Sequence, residues 1–151
     1  MSQSLPPIIR AADVLLAEVE RAVTAMPRRQ KFSYGQRLAQ AAMSIAQKAN
    51  RAWRDRTGRT ELLRQLVLSV DDFKTLLRLG KAVQAYSSAR FEHLARQAYE
   101  LGKQVGGWLK GQQQQAEQQH PMGQNAPAPR GNGQRAPILS SRAAQQPGAK
   151  R

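Results

Sequence analysis

Between Ile8 and Lys110 the chain contains a single proline, Pro27, while apolar residues return every three or four positions. That combination predicts helix throughout, since positions three and four apart share a helix face whereas a strand requires strict alternation. The first stripe, Ile8, Ala12, Leu15, Val19, Ala22 and Met26, stops at Pro27, whose ring blocks a continuing turn. After a basic connector, Arg28 to Lys31, the run Ser33-Tyr34-Gly35-Gln36 matches an S-x-x-Q capping box. A second helix follows with Leu38, Ala42, Ile45, Ala49 and Ala52 inward, and Thr57-Gly58 is expected to close it through a left-handed glycine. Thr60 is placed to cap a third helix, with Glu61 in its first turn and Leu63, Leu66, Val70, Phe73, Leu77 and Val83 or Gln84 along one face; Gly80 weakens it locally. Ser87 or Ser88 caps the fourth, where Phe91, Leu94, Ala98, Leu101, Val105 and Trp108 form the most regular stripe. Four such helices with short connectors predict an all-α, antiparallel up-down-up-down four-helix bundle.

Composition divides the chain at Lys110. Residues 1–110 are the bundle; residues 111–151 form a basic tail rich in Gln, Pro and Gly, with Ile138 and Leu139 almost alone as buriable side chains. Such a segment cannot offset the entropy of ordering and is expected to be disordered, serving as a solubilising extension or as a tethered arm for a polyanion.

Charge then narrows the function. Lys and Arg number 24 against 10 Asp and Glu, a formal net charge of +14, which calls for a polyanionic partner, nucleic acid rather than a membrane surface. No apolar run is long enough to span a bilayer and Met1 to Pro7 does not read as a signal peptide, so a cytoplasmic protein is expected. Cysteine is absent, which removes disulfides, thiolate metal sites and cysteine nucleophiles together. His93 and His120 are distant in sequence, and the neighbouring Asp71 and Asp72 diverge by about 100° on a helix, so no metal site or cofactor is expected. A phosphate-binding loop, a nucleophile elbow and an H-E-x-x-H pair are all missing, and the chain reads as a non-enzyme.

The candidate nucleic-acid-binding residues are Arg28, Arg29 and Lys31 in the connector, Arg37, Lys48 and Arg51 along the second helix, Arg54 and Arg56 beyond them, and Lys74, Arg78 and Lys81 on one face of the third. Arginine predominates, which suits bidentate phosphate contacts, and binding of this kind ignores base sequence and weakens with salt. Tyr34, Tyr86 and Tyr99 are available either to stack bases or to cover the core. Leu16, Leu62, Leu76 and Leu79 widen the apolar arcs enough to meet a second bundle or a partner. Trp108 is expected to plug one end of the core, and Trp53 to act likewise or to sit at an interface.

The span Met26 to Leu38 (MPRRQKFSYGQRL), the later Leu77-Arg78-Leu79 and the closing Gly106-Gly107-Trp108-Leu109-Lys110 resemble the accessory variability determinant (Avd) of diversity-generating retroelements. That group lies within a wider bacterial four-helix-bundle family that includes proteins encoded in ribosomal-RNA intervening sequences. The resemblance covers about residues 8–110; Met26 replaces a more usual aromatic residue before the proline, and the tail falls outside the pattern. It implies a non-catalytic partner of a reverse transcriptase, a homopentameric barrel whose basic surface engages the polymerase and RNA or DNA during mutagenic copying of a template repeat. The competing expectation is a ribosomal-RNA-associated bundle with no polymerase partner.

Overall fold

The computed structural model describes residues 4–119; the expectations for residues 120–151 lie outside the described residues. Four long helices, α1 (Pro7–Thr24), α3 (Gln36–Arg54), α4 (Arg59–Ala82) and α5 (Ser88–Gln119), carry the fold. A short turn of helix, α2 (Arg28–Gln30), and a π-helical turn over Lys31–Gly35 lead directly into α3. Among the described residues there is no strand.

The apolar stripes converge on one core. All residues of the first two predicted stripes are buried, and so are Leu63, Leu66, Val70, Phe73 and Leu77 on α4 and Leu94, Ala98, Leu101 and Val105 on α5. No polar or charged residue is buried among them, so the core is held by apolar transfer, about 1.5–3 kcal/mol for each fully buried large side chain. Alanines at 42, 46, 49 and 52 give α3 a thin inner face, which lets neighbouring helices approach closely. The stripe on α4 ends sooner than expected: Val83 is 41% exposed, and the buried position one turn past Leu77 is Gly80. Phe91 and Trp108, at the two ends of the α5 stripe, are only partly buried.

Several helix ends differ from the expectation. The residues read as a connector, Arg28 to Lys31, are already helical, because the Pro27 carbonyl accepts from the Gln30 and Lys31 amides at 3.0 and 2.9 Å. Ser33 and Gln36 therefore form no capping box; Ser33 Oγ donates to the Arg29 carbonyl at 3.0 Å, the back-bonding common to hydroxyls within a helix. Gly58 does not adopt a left-handed conformation, its φ being −87°. Instead Asp55 turns out of α3 in an extended conformation, and its Oδ1 accepts from the Gly58 amide at 2.9 Å. Thr60 lies inside α4 and caps nothing. Ser87 does cap α5, its Oγ accepting from the Arg90 amide at 3.1 Å. That helix continues past Lys110 to Gln119, so residues 111–119, read from composition as the start of a disordered tail, are helical: glutamine is a good helix former and no proline intervenes before Pro121.

Candidate nucleic-acid interface

From Arg28 to Arg54 the chain carries seven basic residues and no Asp or Glu, and the helical stretch through this run displays most of them toward its two ends. Toward its start, Arg29 and Arg37 line a cleft of about 290 Å³ with Gln30, Ser33, Tyr34, Leu79 and Val83, so the arginines face the last turn of α4. Arg37 also borders a second, polar cleft along α3 with Ser33, Gln36, Gln40, Ala41 and Ser44. Arg28 is exposed, and Lys31 holds its ammonium 5.9 Å from the centre of the exposed Phe32 ring. Toward the end of α3, Arg51 and Arg54 line a cleft of about 490 Å³ with Asn50, Asp55 and Leu62, and Arg56 is exposed in the turn beyond. Arg37 and Arg51 are about 21 Å apart along the helix axis, from the rise per residue.

Lys48 is the member of this set most engaged with its own fold. It is half-buried, and its Nζ donates to Ser69 Oγ on α4 at 2.6 Å, leaving two ammonium protons for a ligand.

Lys74, Arg78 and Lys81 occupy a different groove, between α4 and α5. Lys74 and Arg78 line a cleft of about 230 Å³ with Leu77, Phe91, Ala95 and Tyr99, and Lys81 Nζ lies 4.9 Å from the Phe91 ring centre. The predicted cations thus divide between separate clefts and exposed positions along α2 and α3 and the groove between α4 and α5. Among the described residues only Lys74 of the candidates has a carboxylate within 4.0 Å, Asp71 at 3.8 Å; the others are not neutralised by their own fold.

The neighbouring Arg59 does not join them. Its Nε and Nη2 donate to the Ala52 and Trp53 carbonyls at 2.7 and 2.8 Å, and its guanidinium lies 5.4 Å from the Trp108 ring centre. It satisfies the open end of α3 with a cation at the negative end of that helix, and Trp108 forms the other side of this clamp rather than a sealed plug.

The tyrosines separate just as sharply. Tyr34 is buried, and its hydroxyl donates to the Leu76 carbonyl at 2.6 Å. The Tyr86 hydroxyl donates to the Leu77 carbonyl at 2.6 Å, and the two phenol oxygens lie 3.0 Å apart. Burial pushes both phenols above the usual tyrosine range. Gly80 makes the arrangement possible, since a Cβ there would collide with both hydroxyls. From the sequence alone this glycine reads only as a weak point in a helix. Tyr34 and Tyr86 are therefore fastened to α4 and unavailable to bases, whereas Tyr99 is 55% exposed.

His93 lies 3.7 Å from Glu18 on α1, a carboxylate that Arg90 and Arg21 also reach. No group of three or more His, Asp or Glu placed to hold a metal exists among the described residues, and no described helix is long and apolar enough to cross a membrane. No protein-family model matches the chain, and no curated protein matches its sequence.

Proposed function

We propose that this chain is a non-catalytic accessory subunit of a diversity-generating retroelement, acting in the bacterial cytoplasm to gather template RNA or cDNA and present it to a reverse transcriptase. The observation that carries the nucleic-acid reading is the acid-free basic run from Arg28 to Arg54, with arginine pairs opening into clefts at both ends of α3. Uncompensated guanidinium groups of this kind attract phosphate and release its counterions on contact. The polymerase partner rests on the resemblance of the Pro27, Leu77 and Trp108 segments.

In this reading the four long helices form an up-down-up-down bundle, and five copies close into a barrel. Exposed Leu68, Phe32 and Val14, between 52% and 64% accessible, supply apolar surface for such contacts. Co-expression with the reverse transcriptase of the same element tests the proposal. Capture of the polymerase, together with polynucleotide binding that the double charge reversal Lys74→Glu/Arg78→Glu weakens without loss of helicity, is the expected result. Binding of RNA with no polymerase capture would favour the ribosomal-RNA-associated bundle instead and overturn the retroelement assignment.

A further inference from the structure

The groove between α4 and α5 presents an aromatic ring that the core does not use. Tyr99 is 55% exposed, with Lys74 Nζ 5.8 Å and Lys103 Nζ 5.1 Å from its ring centre, and Arg78 lines the same cleft. Each lysine is only loosely held. Exposed cation–π contacts are weak, and the carboxylate partners of the two ammoniums, Asp71 and Glu100, stand 3.8 Å away one turn along the helix, with Lys74 half-buried and the other three side chains exposed. Arg78 donates to Thr75 Oγ1 at 3.1 Å and has no carboxylate within 4.0 Å among the described residues.

A polynucleotide supplies both things this surface leaves unmatched, a flat π face for the phenol ring and phosphates for three cations. Duplex nucleic acid supplies only the second, because its base faces are covered by their neighbours in the stack. An unpaired base is free to lie on Tyr99 while the flexible lysine stems swing from the ring to the adjoining phosphates. Resting on the nucleic-acid reading above, we infer that the α4–α5 groove binds single-stranded nucleic acid, with one base stacked on Tyr99 and the flanking phosphates held by Arg78, Lys74 and Lys103. The stack is not screened by salt, so the preference for single strands grows as ionic strength rises and the phosphate contribution fades.

Fluorescence anisotropy of the full chain, with a short unstructured oligonucleotide and with the duplex made from it, tests the inference. Tyr99→Ala should weaken single-strand binding by roughly five- to hundredfold, the range for one stacked base, and leave duplex binding within about twofold because no phosphate contact is removed. Tyr99→Phe should restore the single-strand affinity, and an unchanged circular dichroism spectrum would show that the bundle is intact. If the wild type binds both forms and Tyr99→Ala alters neither, or both equally, this inference is overturned while the nucleic-acid reading stands. Failure of the wild type to bind either form at low ionic strength would overturn that reading and the inference with it.

Discussion

Replacing Gly80 with alanine should destabilise the protein, although alanine is the better helix former. In an open helix the exchange would gain about 1 kcal/mol. Here the new Cβ would fall on the Tyr34 and Tyr86 hydroxyls and 2.5 Å from Tyr34 Cζ, so both rings must move. Their hydrogen bonds to the Leu76 and Leu77 carbonyls are worth about 1 kcal/mol each. Tyr34 is only 3% exposed, so a displaced hydroxyl finds little water, and stranding it costs a further ~1–3 kcal/mol. Set against the propensity gain, the net loss is about 2–4 kcal/mol, a fall in Tm on the order of 10 °C for a domain of this size. Urea unfolding followed by circular dichroism measures it. Gly106→Ala is the matched control: a Cβ there meets nothing within 4 Å, so that variant should gain up to about 1 kcal/mol. A Gly80→Ala protein as stable as the wild type, or one shifted in the same direction as Gly106→Ala, would refute the packing logic.

Arg59→Ala removes two carbonyl bonds at the end of α3 and the contact with Trp108, and should cost about 2 kcal/mol in the same assay, with little change in polynucleotide affinity. Alkaline pH should destabilise the fold. The phenols of Tyr34 and Tyr86 titrate above their usual range when folded, so the stabilisation they carry is complete below the unfolded value of about 10 and is lost as pH rises beyond it. Tm measured between pH 9 and 11 should fall, and a Tyr34→Phe/Tyr86→Phe variant should show a shallower fall.

Much of the fold was legible because burial follows a period. Leu38, Ala42, Ile45, Ala49 and Ala52 are buried for the reason their spacing suggested: five small or apolar side chains on one helical face have nowhere else to go. Helix ends were less legible because a cap is a choice among competing acceptors. Pro27 supplied a carbonyl that made the Ser33 box unnecessary, and the Asp55 carboxylate closed the turn that glycine was expected to close. The basic character of α3 was plain from the residues. Its separation from Lys74, Arg78 and Lys81 was not, because which groove a cation enters depends on how adjacent helices are rotated against each other. Gly80 could have been suspected from the tyrosines at 34 and 86, but only the packing of α4 brings all three together.

The most direct test of phosphate-led binding is the dissociation constant for a polynucleotide measured across a salt series. If about four phosphates are neutralised, affinity should fall roughly a hundredfold between 50 and 200 mM salt, as a straight line on logarithmic axes. A constant that stays level over that range, or no detectable binding at the lowest salt, would contradict the assignment of the α3 arginines and the α4–α5 groove as nucleic-acid surfaces.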